Sequence, residues 1–202
     1  MNPRMLSAVL ALVLGACQGP LPGDMESLYY EVREGQAKYK GFGATQANVM
    51  EREAQIFAKI RAAHATGELK TADDYFFGAA ALVTSDDMDD LHLANEMALT
   101  AVELGEDRAF RLSAEAVDRI LFKQGRPQRF GTQALYEPVL GEWRLHDLDP
   151  ATSDEERVAM GVPPLAELRA WIDDLNRQGE MNRALQGDMP RDPVQLGEEE
   201  VY

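Results

Sequence analysis

The chain has 202 residues, 45% hydrophobic and 27% charged, with a formal net charge of −15. That length suits one domain with a real core, and so acidic a chain without basic clusters repels phosphate backbones and anionic headgroups, which excludes nucleic acid as a partner. A single cysteine, Cys17, excludes an intrachain disulfide.

The first element is a leader. Arg4 is followed by an apolar run from Met5 to Leu14 and then by Leu14-Gly15-Ala16-Cys17, the charged, apolar and small-residue parts of a secretory signal. The run is too short to span a bilayer. A leucine three residues before the cysteine, with small residues between, resembles the lipobox of bacterial lipoproteins. The resemblance implies cleavage after residue 16, a diacylglyceryl thioether on Cys17 and an N-acyl chain, and several acyl chains give stable anchoring where one does not. Gln18 stands where an aspartate would resemble an inner-membrane retention signal. The expected location is therefore the cell envelope, at the outer membrane facing the periplasm. Residues 17–25, with Pro20 and Pro22, read as a tether.

A helical domain is expected over 26–177. Its first helix covers about 26–40 and is broken by Gly41-Phe42-Gly43, and its second covers 45–65, with Val49, Ile56, Phe57 and Ile60 on one side. Thr71-Ala72-Asp73-Asp74 has the spacing of a capping box ahead of the apolar Ala79 to Val83 run. Ser85 and the aspartates at 86, 87, 89 and 90 open a helix to Leu104, where acidic groups favour the positive end of the helix dipole. Its apolar residues fall on two sides, which predicts a helix sandwiched between neighbours. A further helix runs over 106–123, with Ala109, Leu112, Ala116 and Ile120 as its stripe and Arg111, Glu115 and Arg119 on the wet side.

After Gly125 the texture changes. Residues 133–147 predict a small hairpin turning at Gly141, and Thr152-Ser153-Asp154-Glu155 reads as a capping box opening a short helix that ends at Gly161. Pro163-Pro164 starts a last helix with Leu165, Leu168, Ile172 and Leu175, and 178–202 reads as a disordered acidic tail. The predicted fold is mainly α. Small residues at close-packing positions and short turns resemble tetratricopeptide and Sel1-like helix pairs, without a strict repeated period.

Residues 125–133 read Gly-Arg-Pro-Gln-Arg-Phe-Gly-Thr-Gln. Together with Asp118-Arg119, with Asp149-Pro150-Ala151-Thr152-Ser153-Asp154-Glu155 and with Gly161-Val162-Pro163-Pro164-Leu165, they resemble an uncharacterised bacterial family with a Gly-x-Pro-Gln-x-Tyr/Phe-Gly-Thr-Gln motif. The match covers about residues 73–168. The family tends to carry a His in the aromatic helix and a Gln-His-Gly after it; this chain has Gly78 and Thr84-Ser85-Asp86 there instead. No activity is implied by the resemblance.

No phosphate-binding Gly-rich loop, zinc-protease helix, nucleophile elbow or Cys pair occurs, so no cofactor is expected. His64, His92 and His146 fall on different elements, and the aspartates near His92 stand where a helix start wants them; no metal is expected. The candidate binding residues are Arg119, Gln128, Arg129, Thr132 and Gln133. They offer a polar pocket in which an arginine holds a carboxylate, or else amides that satisfy orphan backbone groups between a helix end and the hairpin. No catalytic set is discernible. The expected function is a lipid-anchored, non-catalytic envelope protein with a protein partner, the alternative being a small-ligand binder or hydrolase using residues 128–133.

Overall fold

A computed structural model describes residues 25–40 and 45–185. The leader, Cys17, the tether to residue 24, the Gly41-Phe42-Gly43 break and the end of the acidic tail lie outside the described residues. These comprise α1 (Met25–Lys40), α2 (Gln46–Ala65), α3 (Ala72–Leu82), α4 (Met88–Glu103), α5 (Ala109–Lys123), β1 (Ala134–Glu137), β2 (Glu142–Leu145), α6 (Asp154–Ala159) and α7 (Leu165–Leu185). The fold is mainly helical, with packed helix pairs and one small antiparallel hairpin. Among the described residues no helix is long and apolar enough to cross a membrane.

Most helix starts are written in the sequence. Thr45 caps α2 by accepting from the backbone of Asn48. Thr71 and Asp74 form the full reciprocal box at α3. The α6 box is displaced by one residue from the expected position: Ser153 is the cap and Glu156 its partner, while Thr152 is buried. Likewise α4 starts behind Asp87 rather than Ser85, whose hydroxyl instead donates to the buried Asp90 at 2.8 Å. The last helix runs through Leu185, so residues 178–185 are helical where a disordered tail was expected.

The main core lies among α1–α5. Ile56, Phe57 and Ile60 of α2 share this core with Met25, Leu28 and Val32 of α1, Ala79, Ala81 and Leu82 of α3, and Met97, Ala98 and Ala101 of α4. The alanines bring helix axes close, and at Gly78 the approach is closer still: an added Cβ would stand 2.2 Å from the Met97 methyl. Packing α4 between α3 and α5 buries Leu91, Ala94, Met97, Ala98 and Ala101, while Leu93 is half-buried and Leu99 and, past the helix end, Leu104 are exposed.

Helix α5 is a wall shared by two cores. Ala109, Leu112 and Ala116 face the first, whereas Ala114 and Val117 face a smaller cluster with Phe130, Val162 and Leu168. Behind that cluster the chain turns through residues 126–133 into the hairpin. Its register pairs Ala134 with Leu145 and Tyr136 with Trp143. The backbone of Trp143 is held by the Asn176 amide of α7, which accepts from its N–H at 2.7 Å and donates to its C=O at 2.9 Å.

Candidate functional site

The 128–133 segment is built around Asp118, which is fully buried on the inner side of α5. Its Oδ1 accepts from the backbone N–H of Arg129 at 2.6 Å and of Phe130 at 2.9 Å. Its Oδ2 accepts from the N–H groups of Gly131 and Thr132, each at 2.9 Å, and from the Thr132 hydroxyl at 2.9 Å. Four successive amides thus wrap one carboxylate, an anion-binding nest already filled from within the chain. Gly131 makes the wrap possible. Its φ is +94°, and a Cβ there would meet Leu168 Cδ1 at 2.8 Å.

Gln128 is a second internal hub, also fully buried. Its Nε2 donates to the carbonyls of Gln133 and His146, both at 2.9 Å, and its Oε1 accepts from the Gln133 N–H at 2.8 Å. Its own backbone bridges to Asp147 and Asp149. The base of the hairpin is therefore hung on one side chain. Gln133 Nε2 turns back to the Thr132 hydroxyl at 3.0 Å. A third hub is Arg157 of α6, buried, which donates to the carbonyls of Phe130 at 3.2 Å and Thr152 at 2.9 Å and to Asp154 at 3.1 Å. Asp154 in turn accepts from the Leu165 N–H, tying the starts of α6 and α7 together.

The guanidinium groups of the two arginines proposed from sequence point away from these hubs and have different partners. Arg119 reaches the other way, donating to the Ser85 carbonyl at 3.1 Å, with Asp86 3.7 Å away; its Nε is buried without a partner among the described residues. Arg129 projects outward, pairs with Glu156 at 2.8 Å and covers the Phe130 ring. The Ser153 N–H, aided by Arg129, holds the Glu156 carboxyl below the ordinary range. Thus Gln128, Thr132 and Gln133 belong to internal networks, and of the five candidates Arg129 is the exposed one.

Outside the loop lies an open cleft of about 410 Å³, floored by Val117, Leu121 and Pro127 and edged by Arg126, Arg129 and Glu156. Arg126 makes no ion pair among the described residues; its guanidinium touches the Gln124 amide at 3.4 Å. Two aspartates of the helix starts are buried and held by the fold. Asp74 accepts from the N–H groups of Lys70 and Thr71, and Asp90 is paired with Arg61. The histidines stay separate: His92 is exposed, His64 lies edge-on to Tyr75, and His146 packs edge-on against Phe122 at 4.9 Å. Among the described residues no group of three metal-ligating side chains converges.

In the sequence Asp118 stands out only beside Arg119 and not as a hub, and Arg157 does not stand out at all. Asp118 lies seven residues after Arg111, on nearly the same side of the helix, so the pattern groups it with the expected wet side; the structure instead buries Asp118 and leaves Glu115 and Arg119 half-buried, with Arg111 exposed.

Compared with protein-family models, curated proteins and solved structures, the chain matches none.

Proposed function

We propose that this is a lipid-anchored protein of the bacterial envelope, held through Cys17 and acting by contact rather than by catalysis. The anchor reading is supported by the Leu14-Gly15-Ala16-Cys17 sequence behind an apolar leader. The contact reading is carried by one observation: the polar groups of the 128–133 segment are spent on Asp118 and Gln128 inside the fold. Within this proposal the segment is the structural signature of the resembled family, and the consecutive packing of α3, α4 and α5 is a short tetratricopeptide-like stack presenting a scaffold to an envelope protein.

A second reading is favoured by the cleft beside Arg126 and Arg129, which would suit a small ligand carrying a carboxylate or phosphate. Crosslinking in the native envelope separates the two, with wild type compared against Arg126→Ala/Arg129→Ala. Both arginines project outward, so the variant is expected to fold normally. A partner captured by wild type and lost in the variant supports contact through this face. Absence of any partner, with saturable binding of phenyl phosphate that the variant loses, replaces contact by ligand binding. The anchor is tested separately by the mass of the Cys17 peptide, expected to carry a diacylglyceryl group, and by release of Cys17→Ser from the membrane fraction.

A further inference from the structure

We infer that the hairpin tip is a membrane-inserting element, dipping into the lipid interface while the domain is tethered. The inference rests on the anchored reading above and deepens it by naming the surface that meets the lipid. Large apolar side chains exposed singly are normal on any protein. Here four of them fall within one hairpin. Val139 is 95% and Leu140 68% exposed at its tip, and Tyr136 and Trp143 are 46% and 39% exposed behind them.

Their order along the hairpin matches the layers of a bilayer surface. The two aliphatic residues occupy the turn, closed by Leu140 and Gly141 N–H groups donating to the Glu137 carbonyl. Tyr136 and Trp143 are cross-strand partners with ring centroids 5.4 Å apart. One strand residue and the turn separate them from the tip, so they sit behind it by less than the ~10 Å that three extended residues span. When the tip reaches the acyl boundary, such a pair lies in the headgroup layer, where Trp and Tyr rings are favoured because one end of each is apolar and the other polar. Only Val139 and Leu140 pass the acyl boundary: the Glu137–Glu142 pair behind them stays among the headgroups, where Glu137 is paired with Arg144 at 2.8 Å and Glu142 is exposed to water.

The hairpin is also held ready. The Gln133 carbonyl accepts from the His146 N–H, which fixes the ladder so that Trp143 presents its N–H and C=O to the outer edge of β2. Asn176 closes that edge against α7. A pre-oriented tip loses little conformational entropy on insertion, and a tether that keeps the domain within reach makes a weak insertion effective. A lipid surface is favoured over a protein groove because the apolar groups crown a protruding turn flanked by exposed Pro138 and Glu142, rather than a flat face.

The test uses residues 17–202 with Trp171→Phe, leaving Trp143 as the sole indole, coupled through the single thiol of Cys17 to phosphatidylcholine vesicles bearing a maleimide lipid and brominated acyl chains. Trp143 emission is expected to move to the blue and to be quenched about twofold more than in the same protein with Val139→Asp/Leu140→Asp. Both tip residues are exposed, and circular dichroism confirms equal folding. Equal quenching in the two proteins overturns the inference, since the tether alone then explains the proximity. Shielding of Trp143 in the native envelope but not on vesicles also overturns it, and transfers the hairpin to a protein partner. The coupling supplies the tether chemically, so an unmodified Cys17 in the native envelope would sink the anchored reading without touching this result.

Discussion

The two halves of the molecule are held together by different physics. In α1–α5 the largest feature is apolar, a cluster of Ile, Phe, Met and Ala side chains removed from water, and the buried Asp74, Ser85 and Asp90 serve helix starts beside it. In the stretch from residue 126 to the start of α7 the apolar cluster is small, and the organising is done by buried polar side chains, Gln128 and Arg157 within it and Asp118 reaching into it from α5. Hydrophobic burial is non-directional and tolerates some repacking. A buried charge accepting from four backbone amides has one acceptable geometry, and each lost bond leaves an orphan donor. The first region is therefore specified by pattern, the second by particular atoms.

The sharpest way to break this contrast is to remove one organiser from each side. Asp118→Ala is expected to cost about 3–5 kcal/mol, because it strips a buried network of its charged centre. Ile60→Ala should cost ~2–5 kcal/mol through cavity formation. Urea unfolding gives the sizes, and hydrogen exchange gives the locations. In the Asp118 variant, amides 129–132 and the hairpin should lose protection while α3 and α4 keep theirs; in the Ile60 variant, protection should fall throughout. Uniform loss in both would mean that the two regions form a single cooperative unit.

A smaller effect is expected at Gly131. Alanine there must adopt a positive φ and displace Leu168, for about 1–3 kcal/mol by the usual cost of backbone strain and overpacking. A midpoint equal to wild type would show that the nest can be wound without glycine.

The smallest change should be a gain. Glu115 of α5 is half-buried, and desolvation pushes its carboxyl above the ordinary range despite the opposing pull of Arg111, Arg119 and Arg33. Between the unfolded and folded pKa the native state binds the extra proton, so wild-type stability falls as pH rises through that window and the penalty is complete above it. Glu115→Gln should flatten this slope and raise the melting temperature at neutral pH. An unchanged pH dependence would remove desolvation as the cause.

Much of the fold was legible because its signals are local. Thr45, Thr71 with Asp74, and the period of apolar residues in α2, α4 and α5 act within a turn or two of chain, where stereochemistry decides. The α6 cap was misplaced by one residue because Thr152 and Ser153 carry the same chemistry, and burial of Thr152 chose between them. The candidate site was legible as a polar segment but not as a filled one. That Gln128 and Thr132 turn inward depends on Asp118, ten residues or more upstream, and on the His146 carbonyl beyond the hairpin.

Local patterns along the chain were enough for the helical class, for helix starts such as those of α2 and α3, and for the hairpin with its turn near Gly141. Tertiary structure alone decided which polar groups are spent and which remain on the surface: it sank Asp118 and Gln128, sent Arg119 toward Ser85, left Arg126 and Arg129 at the cleft and raised the hairpin on Asn176. Local propensity acts between neighbours in the chain, whereas the satisfaction of a buried donor or acceptor depends on atoms that only folding brings within 3 Å.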